Sequence, residues 1–222
     1  MTRLTVSMTA AVMTLLFASP ALAETIFVSN EKDNTITVVD GKTLEVIKTI
    51  KVARRPRGIV LSPDNKELFV AAGDGDIMDV IDTKTFEISR QLDSGPDPEL
   101  MAVDPAGKVI YIANEDDSLV TIMDIKSGDV LAEVPVGVEP EGMTVSADGK
   151  LTVATSESTS MAHVIDNASN KLIANVLVDS RPREAKFTPD GSELWVSSEV
   201  GGTISVIDPK TWKTKQKISF EV

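Results

Sequence analysis

PRGIVLSPDNKELFVAAGDGDIMDVID, residues 56–82, returns as PELMAVDPAGKVIYIANEDDSLVTIMD at 98–124, as PEGMTVSADGKLTVATSESTSMAHVID at 140–166 and as PREAKFTPDGSELWVSSEVGGTISVID at 182–208. The spacing is 42 residues throughout, without insertions. Pro56, Pro98, Pro140 and Pro182 mark the start of each row. Asp64-Asn65, Ala106-Gly107, Asp148-Gly149 and Asp190-Gly191 mark a turn. Asp82, Asp124, Asp166 and Asp208 follow an apolar pair, as Asp40 does in the incomplete row upstream. Runs such as Ile204, Val206, Ile207 are short, β-branched and bounded by turn residues, which is strand content. No row carries a 3.6-residue apolar stripe long enough for a helix. A strand-rich period of roughly 40–45 residues reads as the blades of a β-propeller.

Each row accommodates four antiparallel strands, lettered a to d from the axis outward. In the first full row a is placed at 58–62, b at 67–71, c at 76–81 and d at 87–92. The Pro-Asp-Asn and Pro-Asp-Gly segments form a–b turns, where Gly or Asn takes positive φ. Asp82 and Asp208 open c–d turns, where the carboxylate accepts backbone N–H bonds. Residues 24–52 supply b, c and d of a first, partial blade, and 56–222 supply four full blades. The fold class is therefore all-β.

Composition bounds the rest. The 222 residues carry 22 Lys+Arg against 34 Asp+Glu, a net charge of −12, so a nucleic-acid partner is disfavoured. Cysteine is absent, which removes disulfides, thiolate metal sites and cysteine nucleophiles. One histidine, His163, leaves no His-rich metal cluster. Residues 1–23 read as a secretory signal: Arg3, an apolar stretch from Ala10 to Ala18, then Ala21-Leu22-Ala23 as the cleavage pattern. The expected location is periplasmic or secreted. No other apolar run is long enough to span a membrane.

Ile110-Tyr111-Ile112-Ala113-Asn114 and Val206-Ile207-Asp208 resemble the YVTN class of bacterial propeller repeats. Residues 29–34, 54–58, 95–99, 138–142 and 194–199 resemble one subfamily more closely. That subfamily is the exported β-propeller associated with pyrroloquinoline-quinone (PQQ)-dependent catabolism, usually of alcohols. The resemblance covers residues 24–222. It implies a ring of about seven blades, of which this chain supplies about five blades' worth. The expectation is a C-terminally truncated, open arc whose exposed ends self-associate; a five-bladed ring is the runner-up.

The d–a and b–c connections share one face of a propeller, at the mouth of the axial channel. Across the rows the d–a set reads Arg55-Pro56-Arg57, Asp97-Pro98-Glu99, Glu139-Pro140-Glu141 and Arg181-Pro182-Arg183. The b–c set adds Glu31, Glu115, Glu157 and Glu199, with Gly73-Asp74 in the second row. Two readings stand. The charges pair and pin the rim, or they form a binding surface that takes an anion on the arginine side or a cation between Glu99 and Glu141. His163, without a base–nucleophile partner, and Met101, Met143 and Trp195 read as packing residues. No catalytic constellation and no metal site is recognisable. No cofactor is expected; PQQ enters only through the pathway that the resemblance implies. The expected function is a non-catalytic scaffold binding a periplasmic protein partner or small molecule. A lactonase-like hydrolase or a propeller oxidoreductase is the alternative, although the blade tryptophans and vicinal cysteines of quinoprotein dehydrogenases are missing.

Overall fold

The computed structural model describes residues 24–220; the signal-peptide reading at 1–23 lies outside them. Five antiparallel sheets follow one another in chain order, one of three strands and four of four. The first blade is Thr25–Asn30, Thr35–Asp40 and Val46–Lys51, which are strands b, c and d. The second is Pro56–Leu61, Glu67–Ala72, Ile77–Asp82 and Glu87–Asp93, in the order a-b-c-d. Strand a begins at the proline, two residues earlier than the sequence pattern suggests. Pro56 pairs with Ala72 and a bulge intervenes before Ile59, so a residue without an N–H is tolerated there. In all five blades the c–d pairing slips by one residue, after Val38, Val80, Ile122, Val164 and Val206. Such bulges twist the outer edge away from straight pairing partners.

Alternation along strand b decides how the blades stack. Leu68 and Val70 face the preceding blade and meet Ile36 and Val38; Phe69 and Ala71 face the next and meet Ile110 and Ile112. The same exchange repeats at the third junction, through Tyr111 and Ala113 against Ala154, and at the fourth, through Val153 against Leu194 and Val196. Each junction is thus its own apolar core. Met101 and Met143 lie buried in two of them.

The a strands Pro56–Leu61, Pro98–Val103, Pro140–Val145 and Pro182–Phe187 contact each other in sequence. A Cβ on Gly58 would stand 2.3 Å from the Glu99 carbonyl oxygen, and one on Gly142 would stand 2.3 Å from that of Arg183. Glycine there lets the inner strands close up around the axis.

Among the described residues no sheet covers the outer face of the first blade or of the last. Val28 is 45 % exposed, whereas Val70, one row on, is fully buried. Trp195 is 38 % exposed and its Nε1 donates to Glu193 at 2.9 Å, so it does not fill an inter-blade core as the sequence reading expected. Val70→Ala should therefore cost about 2 kcal/mol, from two lost methyls and the space they leave. Val28→Ala, the same change at the same repeat position, should cost less than about 1 kcal/mol. Urea melts of both variants check this directly.

Candidate functional site

The residue before each row proline has a left-handed backbone: Arg55 (φ 59°), Asp97 (41°), Glu139 (58°) and Arg181 (59°). This region is unusual for residues with a Cβ and more so before proline. Its consequence is common to all four rows. The carbonyl turned outward accepts the first N–H of the b–c loop: from Gly73 at 3.0 Å, Glu115 at 3.0 Å, Glu157 at 2.9 Å and Glu199 at 2.8 Å. The d–a and b–c residues are thereby tied side by side on one rim.

Polar side chains beneath the rim hold the d–a loop from below. Asp79 accepts the Ala53 N–H at 2.7 Å and Gln91 Nε2 at 2.7 Å. Asn114 donates to the Ser94 and Pro96 carbonyls. His163 stands where the second row has Asp79. Its Nε2 accepts the Gly137 N–H at 3.0 Å and its Nδ1 lies 2.6 Å from Asn175 Oδ1. Burial lowers its pKa, and the two contacts fit a neutral ring with its proton on Nδ1. Both ring nitrogens are engaged in the scaffold.

The rim charges form one connected network. Arg55 reaches Asp97 at 2.7 Å, Glu99 at 3.1 Å, Glu31 at 3.5 Å and both Asp74 and Glu115 at 3.9 Å. Arg57 touches Glu99 at 2.8 Å and then reaches past the third blade to Glu141 on the fourth, at 3.1 Å. Arg183 comes to Glu141 from the opposite side and also contacts Glu157 and Glu199. Arg181 pairs with Glu157 and Glu199. Of the twelve rim residues singled out in the sequence, only Glu139 makes no described ion pair; it accepts from the Ser158 hydroxyl. Asp74 joins the network, while Ser29, Leu100 and Glu184 line its centre. Those three were not singled out, although Leu100 and Glu184 share one row position, the second residue after the proline.

One slot read from the sequence and one that only the structure shows are filled from within. Asp97, Glu99 and Glu115 bring carboxylate oxygens within 4.8 Å of one another, close enough for a metal. The Arg55 guanidinium stands at all three. The place between Glu99 and Glu141 holds Arg57.

The carboxyls at the centre are poorly hydrated. Glu99 is fully buried, and burial followed by repulsion from Glu141 raises its pKa against the pull of Arg57. Burial and a hydrogen bond to Glu157 raise Glu141. Burial acts the same way on Glu157, but bonds from Glu141 and Arg181 bring it below the ordinary range. The first two groups hold protons more tightly folded than unfolded, so their stabilising effect is complete at acid pH and lost as pH rises. The turn aspartates act oppositely. A bond from Lys66, then Ser62, brings Asp64 to about 2, and Lys150, then Ser146, brings Asp148 to about 2. Their contribution is present above about pH 4 and lost below it. Melting temperature should therefore peak near about pH 5 and fall toward both pH 3 and pH 8. Glu99→Gln should flatten the alkaline side; calorimetry across that range reads it. Arg57→Ala, which strips a cation from two buried carboxyls, should cost about 3 kcal/mol at neutral pH, measured by urea melts.

At the axis the network surrounds an open concavity of about 270 Å³ to which all five blades contribute. Radial repetition of four-stranded sheets about such an axis defines the chain as a β-propeller. It belongs to the YNCE-like beta-propeller family, whose sequence profile matches residues 3–119, just over half of its length. Among solved structures it is similar to Kuenenia stuttgartiensis hydrazine synthase, with 25% identity and a TM-score of 0.72 over 75% of this chain and 49% of that one. It is also similar to a functionally unknown protein from Desulfotomaculum acetoxidans DSM 771, with 16% identity and a TM-score of 0.78 over 87% of this chain and 66% of that one. The chain thus spans about half the length of the first and just under two thirds of the second. No curated protein matches it.

Proposed function

We propose that this chain is an exported, non-catalytic propeller that binds a partner or small ligand at its charged rim, in support of PQQ-dependent alcohol catabolism. The observation that carries the binding reading is the rim itself. Four guanidiniums and eight carboxylates are drawn onto one face around an open concavity. Glu31, Asp74 and Glu199 remain about half exposed there, so the rim presents a net negative field able to steer a partner. Export rests on the reading of residues 1–23, and the metabolic setting on the resemblance of the repeat phrases. The non-catalytic reading is supported by the use of both His163 nitrogens in scaffold contacts, one to the Gly137 loop and one to Asn175 on the neighbouring strand.

The test is crosslinked co-purification of the tagged chain with the periplasmic PQQ-dependent alcohol dehydrogenase of its host. Capture should fall at least fivefold, in about the proportion that loss of two rim charges implies, in the Glu31→Gln/Glu199→Gln variant, with its melting temperature unchanged. Equal capture by both forms, or lactone hydrolysis by the purified protein, contradicts the proposal.

A further inference from the structure

The axial concavity is lined by four carboxylates, Glu31, Glu99, Glu141 and Glu184, against two guanidiniums, Arg57 and Arg183. Its floor carries an unusual group. Glu99 has no exposed surface, and its Oε2 has no hydrogen-bond donor. Arg57 Nε lies 2.8 Å away, but its N–H is not directed at that oxygen. A buried carboxyl oxygen without a hydrogen-bond partner costs about 1–3 kcal/mol, and native structures rarely leave one so without a reason.

The cation beside it is loosely held. Arg57 makes one hydrogen bond within the network, at 3.1 Å to Glu141. Its other contacts are the undirected one to Glu99 and a 3.7 Å approach to Glu31, which stands half exposed at the mouth. Arg183, by contrast, donates to three carboxylates. Arg57 can therefore give up its place between Glu99 and Glu141 for one beside Glu31 when another cation takes over both carboxyls.

We propose that the axial concavity binds an organic cation, an alkylammonium or guanidinium group, which takes the place of Arg57 between Glu99 and Glu141 and supplies the missing donor to Glu99 Oε2. This rests on the rim-binding reading and gives that site its ligand chemistry. The volume suits a short amine, and the two-to-one excess of carboxylates disfavours an anion. The cation has two possible sources, a free amine or a lysine or arginine side chain that a docking partner inserts.

The test is calorimetric titration of the full chain with n-butylammonium, with the peptide acetyl-Gly-Lys-Gly-amide and with butyrate. Saturable binding of one equivalent is expected for butylammonium, the peptide or both. Binding of the amine points to a free ligand, and binding of the peptide alone points to a partner's side chain. Binding should tighten at least tenfold from pH 5.5 to 8, with proton release, because Glu99 and Glu141 give up their protons to a cation. Glu99→Gln should weaken it at least tenfold. Glu31→Gln, at the exposed mouth and outside the packed floor, should weaken it a few-fold with an unchanged melt. Absence of saturable binding to either cation, preferential binding of butyrate, or affinities untouched by both substitutions overturns the proposal. Cation binding without capture of the dehydrogenase would sink the metabolic assignment and leave this inference standing.

Discussion

Burial of each blade's face against the next is the interaction on which everything else depends. A single four-stranded sheet cannot cover both of its faces. Period-two alternation along strands b and c sends Phe69 forward and Leu68 and Val70 backward. Repeating that division every row gives four separate apolar cores, with no common centre. The stability of such an array is close to a sum of neighbour terms. The axis is then free to be polar, because no junction needs it for burial.

That freedom is what the rim exploits. Glycines 58 and 142 let the inner strands approach. Close to the axis, side chains two blades apart come within reach, as Arg57 and Glu141 show. The left-handed residue before each proline then fixes where the charges stand, by giving its carbonyl to the neighbouring b–c loop. Strain at four equivalent backbone positions is offset by four equivalent hydrogen bonds. The charges at these equivalent positions change from row to row, with arginines on the second and fifth blades and carboxylates on the third and fourth.

Much of this was legible in the sequence. The gapless period gave the blades, and the pairing of d–a with b–c connections gave the shared rim of Arg55, Arg57, Glu99, Glu141, Arg183 and their neighbours. Three things were not legible, each for a physical reason. A one-dimensional repeat lines up equivalent residues but does not say how near the axis they converge. The reach of Arg57 past one blade, and its position in the slot between Glu99 and Glu141, were therefore hidden. The left-handed conformation of Arg55 or Asp97 has no local signal, since the following proline argues against it. The exposure of Trp195 was missed because an aromatic residue at a core position is buried only if a neighbour covers it. His163 was read as scaffold, but its equivalence to Asp79 as a loop anchor emerges only from the hydrogen bonds.

The central claim is that the rim is one electrostatically coupled unit spanning several blades. Arg57 and Arg183 sit on the second and fifth blades and share the Glu141 carboxylate. The most direct measurement is a double-mutant cycle of Arg57→Ala and Arg183→Ala, read by urea denaturation at low and high salt. A single network predicts a coupling energy of at least about 0.5 kcal/mol that shrinks with salt. Strict additivity of the two substitutions would contradict it.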